Sequence, residues 1–144
     1  MGFLAGWSPQ LLALLRIVAG LCFMEHGCMK LLHFPAPFPY PLTAVTTAAG
    51  AVELVGGALI VLGLFTRLAA FIASGEMAVA YFGFHATNAL GMSAGAKHGL
   101  DPQVNGGVEA ALYAVIFLYI AAAGPGAFAL DNVFGRKRGL EAAA

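Results

Sequence analysis

"LTAVTTAAGAVELVGGALIVLGL", residues 42–64, is the stretch that decides the fold. It is almost entirely apolar or small, and Glu53 is its only charged residue. A helix that crosses a lipid bilayer needs roughly 20 mainly apolar residues, so this segment is long enough to span. We therefore predict a transmembrane helix that carries a carboxyl group near its middle.

Three further segments of the same character occupy most of the remaining chain, at about residues 9–32, 68–90 and 107–123. Of the 144 residues, 60% are hydrophobic and only 10% are charged. The mean hydropathy is +0.85, which is high for a soluble domain. The sequence predicts an all-α integral membrane protein, a four-helix transmembrane bundle that forms a single domain over residues 1–144.

The basic residues predict the orientation of the bundle, because they favour the cytoplasmic side of a membrane. On one side lie the cationic side chains Arg67, Arg136, Lys137 and Arg138, and on the other Lys30 and Lys97. This distribution predicts that both termini are cytoplasmic in a multi-pass protein of the cell (inner) membrane. The formal net charge is zero and the one basic run is short, so a nucleic-acid partner is not expected.

Charged residues within the apolar segments need a partner or a function, because a bare charge is costly in hydrocarbon. Arg16 is expected in the inner leaflet, and Glu53 and Glu76 near the middle of the second and third segments. We expect Arg16 to pair with Glu76 or with both glutamates, either as a structural ion pair or with one glutamate as a proton carrier. Arg67 is grouped with these structural or proton-relay charges.

A second polar layer is expected nearer the outer surface. It combines Glu25 and His26 from the first segment, His85 and Asn88 from the third, and Glu109 from the start of the fourth. Cys22, His26, Lys30 and His33 follow helical spacing along one face of the first segment. This layer is interpreted either as a structural cluster or as a site, with Glu25, His26 and Glu109 as catalytic proton-transfer groups and His26, Lys30, His85 and Asn88 as binding groups.

The connection "FPAPFPYP", residues 34–41, cannot continue a helix because of its four prolines. Its aromatic residues Phe34, Phe38 and Tyr40 are interpreted as anchors at the membrane surface, with a lid over a ligand site as the alternative.

No metal site is predicted, because His26 and His33 are too far apart along a helix to share one ion easily. A haem held by His26 and His85 from different helices is a lesser alternative.

Several motifs together resemble the DoxX family of small four-helix membrane proteins. These are "HGCMKLL" at 26–32, "ELVGGALIVLGLFTRLAA" at 53–70, "GEMAVAYF" at 75–82, "NGGVEAALY" at 105–113 and "AAAGPGAFALD" at 121–131. The resemblance covers almost the whole chain, and its most specific part is the Glu-x-x-Gly-Gly…Gly-x-x-Thr-Arg block. By position, the recurrent polar residues of the family correspond to Arg16, Lys30, Glu53, Arg67, Asn105, Glu109 and Asp131. Two departures are Val108, which separates Gly107 from the glutamate, and Ala129, where the family usually has serine.

The resemblance implies a bundle in the cytoplasmic membrane that is associated with redox chemistry, since some relatives are small subunits of a thiosulfate:quinone oxidoreductase. The leading hypothesis is a redox-associated membrane subunit that interacts with quinone through the outer-leaflet polar pocket. The chain carries no evident redox cofactor motif, so a partner protein would supply the electrons, and whether the chain is itself an enzyme stays open. The alternative is a non-catalytic membrane anchor or assembly factor that contacts a partner through small residues such as Gly56 and Gly57. Membrane lipids and further copies of the chain are additional expected partners.

Overall fold

The computed structural model describes the chain over residues 2–90 and 99–141, and the side chains as far as residue 135. The described residues form helices and turns and contain no strand. The elements in chain order are a 3-10 helix Gly2–Trp7, α1 Ser8–Leu32, α2 Ala44–Leu62, α3 Thr66–Ala80, a π-helix Tyr81–Ala86, α4 Pro102–Asn105, α5 Val108–Ala123 and α6 Leu130–Glu141.

Three helical stretches of the described chain are long and apolar enough to cross a membrane: Gly2–Leu32, Ala44–Leu62 and Thr66–Ala86. α5 occupies the place of the fourth predicted segment, and it is apolar but has only 16 residues. The predicted outer end of the third segment was wrong. Regular α-helix stops at Ala80, and the π-helical turns that follow it end at Ala86 rather than at residue 90.

Close contact between α1 and α2 depends on glycine at both surfaces. A Cβ at Gly27 would lie 2.7 Å from the carbonyl oxygen of Gly50, and one at Gly57 would lie 2.7 Å from the Cβ of Met24. Such distances leave no room for a side chain, so the two backbones meet here. The suggestion that Gly57 contacts a partner protein was therefore wrong, because the residue is buried inside the chain's own helix pair.

The other principal contact joins α3 to α5, and α2 also packs against α3. Between them lies an apolar core whose fully buried large side chains are Phe23, Ile60, Phe117 and Ile120. Small residues of α3, among them Ala70 and Ala73, complete this core. This core holds the four helices together.

Arg16 does not pair with a glutamate, contrary to the sequence prediction. Its buried guanidinium donates hydrogen bonds to backbone carbonyls at the end of α2, including Val61 at 2.6 Å, and to those of Pro125, Ala127 and Phe128. The last carbonyls of a helix lack partners within it, and a planar cation with several donors satisfies them well. Arg16 is thus a structural residue that ties the segment after α5 to the end of α2.

Two other charged residues support the same end of the molecule. The carboxylate of Asp131 accepts hydrogen bonds from the backbone N–H groups of Phe65 (2.8 Å) and Thr66 (2.9 Å) and so caps the start of α3. Arg67 donates to the carbonyls of Ala121 (2.9 Å) and Ala122 (2.6 Å) at the end of α5. The charge of each residue complements the dipole of the helix end that it contacts.

Candidate functional site

A cavity of about 330 Å³ opens at the opposite end of the helices from Arg16. Its walls come from α1, α2, α3, the π-helix and α5, together with the proline-rich connection. Ionisable side chains in its lining are His26, Lys30, Glu53, Glu76, His85 and Glu109. The volume lies at the lower end of the range for small-molecule sites.

Lys30 and Glu53 form a buried ion pair in the lining of this cavity. The Lys30 Nζ atom lies 2.5 Å from the Oε1 atom of Glu53, and the two residues are 8% and 1% exposed. The ammonium group also lies 5.1 Å from the centre of the Phe38 ring. The sequence prediction placed Lys30 in the outer layer and gave Glu53 a partner only if Arg16 paired with both glutamates, whereas the structure joins Lys30 to Glu53. A buried carboxylate next to an ammonium group is far less costly than either charge alone.

Two carboxyl oxygens near this pair lack a hydrogen-bond partner among the described residues. They are Oε2 of Glu53 and Oε2 of Glu76, and both atoms are buried. Buried polar atoms are almost always hydrogen-bonded, so an unpartnered oxygen beside a cavity indicates a place for a ligand, a water or a proton.

His26 lies on the α1 wall beside Glu109 of α5. Its Nδ1 atom is 3.0 Å from the carbonyl oxygen of Cys22, which fits an Nδ1–H donor. Its Nε2 atom lies 3.6 Å from Oε1 of Glu109, too long for a good hydrogen bond but close enough for an ion pair when the ring is protonated. Val108 therefore does not turn Glu109 away from the cavity, although the Glu109 side chain is 60% exposed.

His85 reaches the cavity from the π-helix. Its Nδ1 atom is 3.2 Å from the carbonyl oxygen of Asn105. The side chain of Asn105 fixes that loop, because it donates to the Gly99 carbonyl and accepts from the Gly107 N–H, each at 2.7 Å. π-helical turns are rare and occur frequently at functional sites.

Not all predicted site residues reach the cavity. Glu25 is exposed, Asn88 is half-buried, and neither lines the cavity. Cys22 and His33 are also exposed and outside the lining, so the face of α1 that borders the cavity runs through Phe23, His26 and Lys30 instead. Arg16 and Arg67 lie at the other end of the helices. Lys97 falls outside the described residues.

The aromatic residues that the helices place beside the ionisable groups were missed from the sequence. Phe23 packs edge-on against Phe117 with ring centres 4.9 Å apart, and Tyr113 stacks on Phe117 with ring planes 8° apart. Phe84, Phe38 and Tyr40 complete the aromatic part of the lining. Phe23 is three residues before His26, one helical turn away, and this spacing was the available signal.

The proline-rich connection contributes to the cavity rather than only to the outer surface. Phe38, Pro39 and Tyr40 all belong to the lining, and Phe38 packs edge-on against Tyr40 at 5.5 Å. These positions agree with the lid interpretation for Phe38 and Tyr40, while Phe34 is 69% exposed and lines no part of the cavity.

The described residues contain no group of three or more His, Cys, Asp or Glu side chains that is arranged to hold a metal ion. The ionisable side chains of the cavity lie next to aromatic rings.

Comparison with known proteins places this architecture in a family. An uncharacterized protein of Haemophilus influenzae is 45% identical over 141 residues, which cover 95% of this chain and 100% of the relative. No solved structure matches the chain. The DoxX family model matches residues 11–86, a range that includes α1 from residue 11 onward, all of α2 and α3, and the π-helix with His85. The chain belongs to the DoxX family.

Proposed function

We propose that this protein is a membrane-embedded redox subunit that binds the head group of a quinone in the cavity between its helices. The observation that carries the proposal is the combination in one cavity of an aromatic wall, two histidines and three carboxyl groups. Ligand sites are mostly apolar, with a few polar groups that fix the orientation of the ligand. A quinone head group is a flat ring with oxygen atoms at opposite edges, and it matches that lining.

The lining residues can fulfil two roles for such a ligand. His26, His85 and Lys30 supply N–H groups that can donate to its oxygen atoms, and the aromatic rings can pack against its face. A bound quinone would supply two-electron, two-proton redox chemistry. Glu109 beside His26 is suited to exchanging protons with the outside, because it is exposed at the rim.

In this proposal the chain forms a four-helix bundle in the cell (inner) membrane. Both termini lie on the cytoplasmic side. α5 would be the fourth spanning helix, and its 16 residues give a length of about 24 Å, shorter than the hydrocarbon core of a typical bilayer. Local thinning of the bilayer or exposed polar ends can accommodate such a mismatch. The cavity then lies in the outer half of the bundle, where a lipid-soluble ligand has access.

A partner protein would supply or accept the electrons, because the sequence has no cofactor-binding motif of its own. The DoxX membership supports a membrane-associated role for the chain. Association with lipids, and with further copies of the chain, belongs to the same proposal.

The experiment that tests the proposal is mass spectrometry of the organic extract from gently purified protein. The wild type is compared with a His26→Ala, His85→Ala double variant and with His33→Ala, a control histidine that lies outside the cavity. We expect near-stoichiometric quinone with the wild type and the control, and loss from the double variant. Quinone no higher than the lipid background in all three samples would reject the proposal in favour of a non-catalytic anchor or assembly factor.

A further inference from the structure

The inner part of the cavity contains two buried carboxyl oxygens to which no described residue donates a hydrogen bond. Lys30 is its ammonium group, and it is already bonded to Oε1 of Glu53. The second oxygen of Glu53 and Oε2 of Glu76 have no donor among the described residues. Glu53 is only 1% exposed, so bulk water does not compensate for the missing partner.

The two histidines of the lining make their described contacts away from these two oxygens. The Nδ1 atom of His26 lies 3.0 Å from the Cys22 carbonyl, and its Nε2 atom faces Glu109. The Nδ1 atom of His85 lies 3.2 Å from the Asn105 carbonyl. No described contact brings any of these groups to the two unpartnered oxygens. A ligand that complements this part of the cavity must therefore bring a donor of its own.

We infer that the cavity selects the reduced, hydroxyl-bearing form of a quinone head group over the oxidised form. The inference rests on the proposed function and adds to it a preference for one redox state. A hydroquinone hydroxyl can donate a hydrogen bond to Oε2 of Glu53 or of Glu76. The carbonyl oxygen of the oxidised ring has only lone pairs to offer, so it leaves both acceptors unpaired and lies against them unfavourably.

The expected preference for the hydroquinone can be sized from other sites that recognise a hydroxyl group by a hydrogen bond. A site built to hydrogen-bond a hydroxyl group rejects an analogue that lacks the donor, because buried polar atoms in the site then stay unpaired. We expect the hydroquinone to bind at least about tenfold more tightly than the quinone, since an unsatisfied buried acceptor has an effect of that order. A tenfold preference raises the two-electron potential of the bound couple by about 30 mV. The bound quinone thereby becomes a better acceptor for electrons from a partner protein.

The test measures the affinities of the two redox forms separately. The full chain is placed in lipid nanodiscs, and equilibrium dialysis under argon gives Kd for a short-chain benzoquinone and for its hydroquinone. The same measurements are made on a Glu53→Gln, Glu76→Gln double variant, which replaces one oxygen of each carboxyl group with an amide N–H donor, and on Glu25→Gln, the same substitution at an exposed residue outside the cavity.

The expected result is a Kd ratio of at least about tenfold in favour of the hydroquinone in the wild type and in Glu25→Gln, and a ratio near one in the double variant. Equal affinities in the wild type, or tighter binding of the quinone, would overturn the inference while leaving the proposed function intact. An unchanged ratio in the double variant would also overturn it, because the preference would then not depend on the two carboxyl groups. Binding of neither form to the wild type would instead reject the proposed function.

Discussion

Asp131 joins the start of α6 to the start of α3 through its carboxylate, and Arg16 supports the same region from α1. Burial by itself would raise the pKa of Asp131. The hydrogen bonds from Thr66 and Phe65 and the positive charge of Arg16 outweigh that effect and lower the pKa below its ordinary value. The carboxylate is therefore bound more strongly in the folded state when it is ionised.

The lowered pKa predicts a pH dependence of stability at this residue. A group whose folded pKa is depressed contributes stability above its unfolded pKa, which is about 3.9 for aspartate, and this contribution is lost as pH falls through the folded value. At neutral pH, Asp131→Ala should lower the free energy of unfolding by about 1 kcal/mol, as loss of a helix cap does. Thermal unfolding in detergent, at pH 7 and at steps below pH 4, measures the stability of the wild type and of Asp131→Ala. The difference in free energy of unfolding between the wild type and Asp131→Ala should become smaller at acidic pH. A difference that does not change with pH would contradict the lowered pKa of Asp131.

At the scale of helices, the contact between α1 and α2 is set by backbone approach rather than by large interlocking side chains. Gly27 on α1 faces Gly50 on α2, and Gly57 on α2 faces Met24 on α1. In a membrane the lipid tails are as apolar as leucine side chains, so close van der Waals packing is a main source of helix association. This contact also determines where Lys30 lies relative to Glu53, since these residues project from the same two helices.

Substitution of one glycine at a time should separate helix packing from helix propensity. A methyl group at Gly27 would collide with the backbone of α2, so Gly27→Ala should destabilise the protein by about 1–3 kcal/mol. Gly75 on α3 is exposed, and a Cβ there would meet no atom within 4 Å. Gly75→Ala should therefore be neutral or stabilising by up to about 1 kcal/mol, because alanine favours helix. The shift in the thermal midpoint in detergent measures the stability change of each variant. Equal shifts for Gly27→Ala and Gly75→Ala would show that the α1–α2 contact is not tight at Gly27.

The limits of prediction from sequence are clearest in the same elements. Long apolar runs identified α1 and α2, because hydrophobic length is read directly from composition. The end of the third segment was placed too late, since the sequence does not show that Gly83 lets the side chain of Leu90 fold back over the chain. Arg16 was paired with carboxylates because backbone carbonyls are identical in every sequence, and only the fold shows which of them lack partners.

Only part of the candidate site was predicted, because the sequence does not show the direction in which each side chain points. His26, Lys30 and Glu109 were assigned to the outer layer by counting residues along helices, and the cavity does bring them together with His85. Counting gives depth but not the direction in which a side chain points when helix boundaries are uncertain by a residue or two. Glu25 is adjacent to His26 in sequence and yet points away from the cavity lining.

At the scale of the whole molecule, the number of membrane crossings fixes the sides on which the two ends lie. If α1, α2, α3 and α5 all span the membrane, the segments before α1 and after α5 lie on the same side. If α5 does not span, they lie on opposite sides. Arg67 and the basic residues of α6 lie at the end of the helices that also holds Arg16, which favours the cytoplasm for that end.

Single cysteines distinguish these topologies when Cys22 and Cys28 are first replaced by alanine. Gly6→Cys and Gly135→Cys mark the two ends at positions where a Cβ meets no neighbour, and Gln103→Cys marks the opposite face within α4. In intact spheroplasts, a membrane-impermeant maleimide should label Gln103→Cys and spare both end positions. All three should react after the membrane is permeabilised. Labelling of one end but not the other would mean an odd number of spans. Labelling of both ends with protection of Gln103→Cys would show the reverse orientation, in which the cavity opens toward the cytoplasm.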